Sequence, residues 1–291
     1  MSGPQDRMGG ALAAWGRPLV IAHRGASGYL PEHTLEAYAL AYGQGADFLE
    51  PDVVLTRDGV AICLHDVVLE RVTDVARRFP GREREDGRFY AIDFTLDEVR
   101  ELTATGGSRH GLRGCGLPTL AEMIALTQHL NERSGRDVGI APELKKPTFH
   151  RENGQSIEDV FARVLREADY VGPSARCIVQ CFEHDALVRL RVDHDVDVPR
   201  LACIGREAPD ESELIALTEV AEAIGPSKDA IAASSGALVA AAHDLGLGVI
   251  PYTFDDDEAE TRRFFGEYGV DALFTDYPDV ALRARKSIDR R

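Results

Sequence analysis

"LVIAHRGASGYLPEHTLEAY", residues 19–38, packs an apolar run, a His-Arg-Gly triplet, a tight glycine-bearing turn and the start of an amphipathic stretch into one short unit. The apolar run predicts a buried strand ending at His23, and the stretch from His33 onward predicts a helix to residue 44. A buried strand that stops on an ionisable His23 and an always-charged Arg24 has two readings. One is a solvated strand end; the other is a catalytic one.

The strand-to-helix unit recurs along the chain. Runs of strand character lie at 19–23, 47–55, 137–144, 176–182, 200–205, 220–225, 247–254 and 271–276. Helix-like segments fall between them at 33–44, 118–130, 156–168, 183–191, 210–218, 228–245, 256–268 and 278–287. The capping boxes Thr95-x-x-Glu98 and Thr119-x-x-Glu122 mark helix starts, and Gly45, Gly246 and Gly269 stand where helices should stop. Eight strands, each followed by a helix, predict an α/β fold of the (β/α)8 TIM-barrel type. A doubly wound open sheet is the alternative, since strand count alone closes no ring. No Gly-x-Gly-x-x-Gly follows the first strand, and "GASG" lacks the Gly-Lys-Ser/Thr of a phosphate-binding loop, which disfavours nucleotide-binding versions of that sheet.

Between Ala61 and Leu117 the rhythm breaks. An extra strand, "AICLHD", precedes a charged loop, "RRFPGREREDGRFY", and a short helix beginning at Thr95. The expected organisation is one barrel domain over 17–291, a cap insertion at 67–117 within it, and a flexible segment at 1–16.

Composition narrows the function. The 33 Lys and Arg against 49 Asp and Glu leave a formal net charge of −16. Such a surface repels polynucleotides and anionic membranes, so no nucleic-acid partner is expected. A small anionic substrate requires a metal or a few basic side chains to reverse the sign locally. The 5 cysteines read as buried free thiols rather than a disulfide framework. No apolar run reaches membrane-spanning length, and the N-terminal stretch lacks the basic start and apolar core of a signal peptide. A cytoplasmic location is therefore expected; a start upstream of Met1 would instead suit a periplasmic or secreted protein.

Side chains at the C-terminal ends of barrel strands converge on one mouth. Those ends carry His23-Arg24, Glu50-x-Asp52, His65-Asp66 and Glu143-x-Lys145, followed by Gln180, Phe182, Tyr252, Phe254 and Asp276. Glu50 and Asp52 share a strand face, and two carboxylates held together call for a cation. With Glu143 they form an all-oxygen set suited to one divalent cation, Ca²⁺ or Mg²⁺, far better than to Zn²⁺. The competing reading pairs these carboxylates with Arg24 and Lys145. His23 and His65 are the natural proton carriers, and Arg24 and Lys145 suit phosphoryl oxygens. Together these parts describe metal-assisted hydrolysis of a phosphodiester by two histidines.

At this point the residues match a known family. "HRGASGYLPEHTLEAY", "GADFLEPDVVLTRDGVAICLHD" and "PELK" resemble the glycerophosphodiester phosphodiesterases, in their bacterial periplasmic-type subgroup. The resemblance covers the chain from Leu19 to about Asp279. It implies a barrel with a small cap and hydrolysis of small-molecule glycerophosphodiesters, such as glycerophosphocholine or glycerophosphoethanolamine, to sn-glycerol 3-phosphate and an alcohol. Glu50, Asp52 and Glu143 would hold the cation, and His23 and His65 would form the acid–base pair. Arg24 and Lys145 would contact phosphate, while Phe182, Tyr252 and Phe254 would line the substrate pockets or simply pack the rim. The rivals are a lipid phosphodiesterase of the phospholipase D or sphingomyelinase D type and a silent phosphodiester-binding barrel. His33 receives no task.

Overall fold

The strands run, in chain order, β1 (Leu19–His23), β2 (Phe48–Glu50), β3 (Asp52–Leu55), β4 (Ala61–Cys63), β5 (Gly139–Ile140), β6 (Glu143–Leu144), β7 (Val179–Cys181), β8 (Arg200–Cys203), β9 (Ala223–Gly225), β10 (Gly248–Val249) and β11 (Ala272–Thr275). They belong to a computed structural model describing residues 17–105 and 114–288. The segment 1–16, expected to be flexible, and residues 106–113 of the insertion lie outside the described residues.

Among the described residues, the named strands all pair in parallel except β3 with β4. Pro51 has no N–H to donate, so strand two divides into β2 and β3 there. Strand three divides opposite it, and the two remain joined as the Glu143 N–H donates to the Pro51 carbonyl at 2.9 Å. The ring closes where Phe254 and Thr275 form a parallel bridge and the Phe274 N–H donates to the Pro251 carbonyl at 3.0 Å. The expected barrel is therefore the fold, and the open sheet is not.

Among the described residues, three apolar groups hold it together. The largest lies between the strands and the surrounding helices. A second fills the barrel interior: Leu19, Ile21, Phe48, Ala141, Ile178, Leu201, Ala223, Ile250, Ala272 and Phe274. The ring of Phe48 sits so close to strand three that a Cβ on Gly139 would lie 2.3 Å from it, so that position accepts only glycine. The third group gathers Val54 and Ile62 with Leu69, Phe89, Phe94 and Leu117, giving the segment after strand two an apolar core of its own.

Helices Leu35–Gln44, Leu120–Ser134, Ile157–Glu167, His184–Val192, Glu211–Thr218 and Pro278–Ile288 follow the expected pattern. Both capping boxes form. The expected single helix 228–245 is two, Lys228–Ala233 and Ala237–Asp244. Ser235 and Gly236 between them adopt left-handed backbone, where the i to i−4 ladder is interrupted. A short helix, Pro147–Glu152, follows β6 where none was expected.

Candidate active site

The mouth is built by strand alternation. Two residues toward the C-terminal end from each interior apolar residue, the side chain returns to the same face. Ile21 thus leads to His23, Phe48 to Glu50, Ala141 to Glu143, Ile178 to Gln180, Leu201 to Cys203 and Ile250 to Tyr252. All six of those C-terminal residues line one cavity of about 260 Å³. His65 reaches it differently. β4 returns antiparallel along β3, and the Leu64 N–H donates to the Asp52 carbonyl at 3.0 Å, which sets His65 beside the mouth.

Glu50, Asp52 and Glu143 are buried, with carboxylate oxygens within 4.8 Å of one another. Asp52 Oδ2 accepts from His33 Nε2 at 2.9 Å and lies 3.2 Å from Arg24 Nε; Oδ1 lies 3.4 Å from Lys145 Nζ. Lys145 donates to Glu143 Oε1 at 2.7 Å. Glu50 forms no ion pair among the described residues; it accepts the Arg24 backbone N–H at 2.7 Å and the Gln180 amide at 3.5 Å. Burial, reinforced by the Asp52 charge, pushes the Glu50 carboxyl well above the usual carboxylate range. Burial likewise raises Glu143 to about 7 against the pull of Lys145. At Asp52 burial also opposes charge, but Lys145, the His33 hydrogen bond and Arg24 outweigh it and hold the group well below its ordinary value. Pairing with Arg24 and Lys145 therefore accounts for part of the cluster and leaves Glu50 uncompensated. This buried all-oxygen set suits a divalent metal ion.

Each histidine is backed by a carboxylate. His23 Nδ1 lies 2.6 Å from Asp276 Oδ1, and Ser27 Oγ lies 2.8 Å from the same oxygen. Burial opposes charge on Asp276, yet His23 and then Ser27 keep its value lowered. The ionised carboxylate accepts from Nδ1, which leaves Nε2 for the cavity. His65 Nδ1 lies 2.8 Å from Asp66, whose other oxygen takes Arg71 Nε at 2.6 Å. The hydrogen bond from His65 holds Asp66 at about 2, and burial pushes the His65 imidazole down. Arg71 continues to Glu32 at 2.9 Å and Glu32 to Arg24 at 3.1 Å. An ionic chain thus runs from the second histidine to the acidic cluster.

Of the residues singled out in the sequence, His23, Arg24, Glu50, His65, Glu143, Lys145, Phe182 and Tyr252 line the cavity, with Asp52 in the acidic cluster. Phe182 and Tyr252 meet edge-to-face at 5.9 Å, and the Tyr252 hydroxyl donates to the Ile204 carbonyl at 2.7 Å. Phe254 is a correction. It is fully buried against Phe264, with ring centroids 4.8 Å apart, and contributes to the core behind the strands. The alternation carries from Ile250 to Tyr252 and fails beyond it, where Phe254 turns to the outer core and packs with Phe264. Sequence reasoning missed Asp276, Ser27, Glu32, Arg71 and His33 as partners of the site. Asp276 alone carried a signal, as a carboxylate closing the last strand.

Fold and site define an α/β-barrel protein whose mouth holds a buried acidic cluster between two carboxylate-backed histidines. The chain belongs to the glycerophosphoryl diester phosphodiesterase family, whose model matches residues 23–280. It is 40% identical over 190 residues to a glycerophosphodiester phosphodiesterase of Haemophilus influenzae, covering 60% of this chain and 52% of that protein. Identity to the Treponema pallidum glycerophosphodiester phosphodiesterase is 38% over 188 residues, covering 60% and 53%. The chain thus spans about half the length of these two relatives. Among solved structures, an Oleispira antarctica phosphodiesterase in complex with the product sn-glycerol-3-phosphate superimposes with a TM-score of 0.73 at 25% identity, covering 94% of this chain and 98% of that one. No helix among the described residues is long and apolar enough to cross a membrane.

Proposed function

We propose that the protein hydrolyses glycerophosphodiesters to sn-glycerol 3-phosphate and an alcohol. The observation that carries this reading is the pair of carboxylate-backed histidines flanking a buried acidic cluster in one mouth, with Arg24 and Lys145 beside it. Family membership and the product held by the Oleispira antarctica relative support the substrate class. A second cavity of about 240 Å³, lined by His23, Arg24, Ser27, Gly28, Glu32, Asp276 and Tyr277, adjoins the first at His23 and Arg24. Room on both sides of these two residues suits a phosphorus carrying two organic substituents.

Glu50, Asp52 and Glu143 would hold a single Ca²⁺ or Mg²⁺. When bound, that ion supplies charge neutralisation at a phosphoryl oxygen. Arg24 and Lys145 bind the remaining phosphoryl oxygens. One histidine removes the proton from the attacking oxygen, of water or of the glycerol 2-hydroxyl, and the other protonates the departing alkoxide. Asp276 and Asp66 hold the two imidazoles in the tautomer that presents Nε2 to the cavity. A silent binding barrel has no use for two proton carriers so arranged.

The test is a panel of glycerophosphodiesters assayed for released glycerol 3-phosphate with Ca²⁺, Mg²⁺ or chelator. Cation-dependent release, lost on chelation and restored on replenishment, is the expected result. Titration showing glycerophosphocholine bound but never consumed under any cation overturns the proposal.

A further inference from the structure

His33, the residue of the opening stretch without a task, is buried, with 1% of its surface exposed. Its Nδ1 lies 2.7 Å from the Tyr38 hydroxyl and its Nε2 2.9 Å from Asp52 Oδ2. A carboxylate only accepts, so Nε2 carries the proton; in the neutral ring Nδ1 then accepts from Tyr38. A helix start sets this spacing. Thr34 caps helix Leu35–Gln44 by accepting the Ala37 N–H, which places Tyr38 one turn inside on the buried side. His33 precedes the cap with φ at 58°, a left-handed conformation costly for histidine, and its N–H is tied to the Arg24 carbonyl at 3.1 Å.

Arg24 does not replace this contact. Its Nε lies 3.2 Å from the same Asp52 oxygen but makes no hydrogen bond among the described residues, so His33 is the aligned side-chain donor to Oδ2 there. With Oδ2 held, Oδ1 turns toward Lys145 and Glu143. We infer that His33 and Tyr38 are positioning residues that fix Asp52 in the rotamer with one oxygen turned into the acidic cluster, presetting the cluster for its cation. The inference rests on the cation site proposed above. Ligating groups are oriented by such outer partners, and losing one costs about 10–100-fold in metal affinity.

The experiment measures Mn²⁺ binding to the chelator-stripped full chain, by the loss of the free-ion electron paramagnetic resonance signal. His33→Leu and His33→Gln bear a similar left-handed backbone cost at position 33, but only glutamine can return an N–H near the Nε2 position. His33→Leu should weaken Mn²⁺ binding about 10–100-fold, and His33→Gln should recover most of it. Tyr38→Phe keeps the ring packing and removes the hydroxyl, and should weaken binding by roughly a few-fold. A purely structural role would lower the melting temperature of both His33 variants without separating their affinities. Native-like affinity in a folded His33→Leu overturns the inference. Should that variant not fold, native-like binding by both His33→Gln and Tyr38→Phe overturns it, and a loss in Tyr38→Phe alone supports it. Failure of the native chain to bind Mn²⁺ would instead remove the cation site itself.

Discussion

The lower and upper halves of the barrel interior are made by the same strands, two residues apart, and have opposite chemistry. Below lie Ile21, Phe48, Ala141, Ile178, Leu201 and Ile250. Directly above them lie His23, Glu50, Glu143, Gln180, Cys203 and Tyr252. The lower layer is an apolar plug, and its contribution is burial. The upper layer concentrates charge that could not persist in such surroundings without partners. Its difference from the plug is that its polar groups are held from outside the strands, by Asp276, Asp66, Arg71 and Lys145. The plug fills the barrel beneath the strand ends, and for His23 and His65 the carboxylate partners decide which ring nitrogen faces the cavity.

Substitution in the two layers should separate stability from turnover. The largest expected effect is in the upper layer: His23→Ala and His65→Ala should each lower turnover about 10²–10⁴-fold with little change in melting temperature. Near-native rates from both would sink the acid–base assignment. In the lower layer, Phe48→Ala should cost about 3–5 kcal/mol of stability in denaturant titration. The surviving folded fraction should retain its turnover, and a parallel collapse of turnover would mean that plug and mouth are not separable.

Asp276→Asn should lower turnover about 10²-fold by freeing the His23 tautomer. Asp66→Asn should cost less, roughly 10-fold, because Arg71 already shares that carboxylate. The reverse order would mean that Arg71 does not loosen the hold of Asp66 on His65. The smallest effect lies at the barrel floor, where His243 Nε2 sits 2.9 Å from Asp271 and the hydrogen bond raises the imidazole above its ordinary value. A raised folded value means the stabilisation is fully present below the unfolded value near 6.5 and is lost as pH rises through the folded one. The melting-temperature advantage of the native chain over His243→Gln should therefore be present at about pH 6 and shrink by about pH 8.5. Turnover should not follow it.

Much of the site was legible because its elements are local. His23 with Arg24, Glu50 with Asp52, His65 with Asp66 and Glu143 with Lys145 are neighbours on strand ends, where a period of two and the rule of the C-terminal mouth suffice to place them. The misplacement of Phe254 and the break at Ser235–Gly236 came from extending a local period past the point where the backbone keeps it.

Strand count, strand ends and the identity of the ionisable groups were set by the linear order of residues, because burial along a strand or helix is written in near-neighbour periodicity. Pairing across distance belongs to the closed ring alone. His23 meets Asp276 across 253 positions, and His33 meets Asp52 across 19, from a loop onto a different strand. No period in the chain encodes those contacts. They exist because the last strand closes beside the first, and because the helix after His33 packs against β2, the strand that ends at Glu50 just before Asp52.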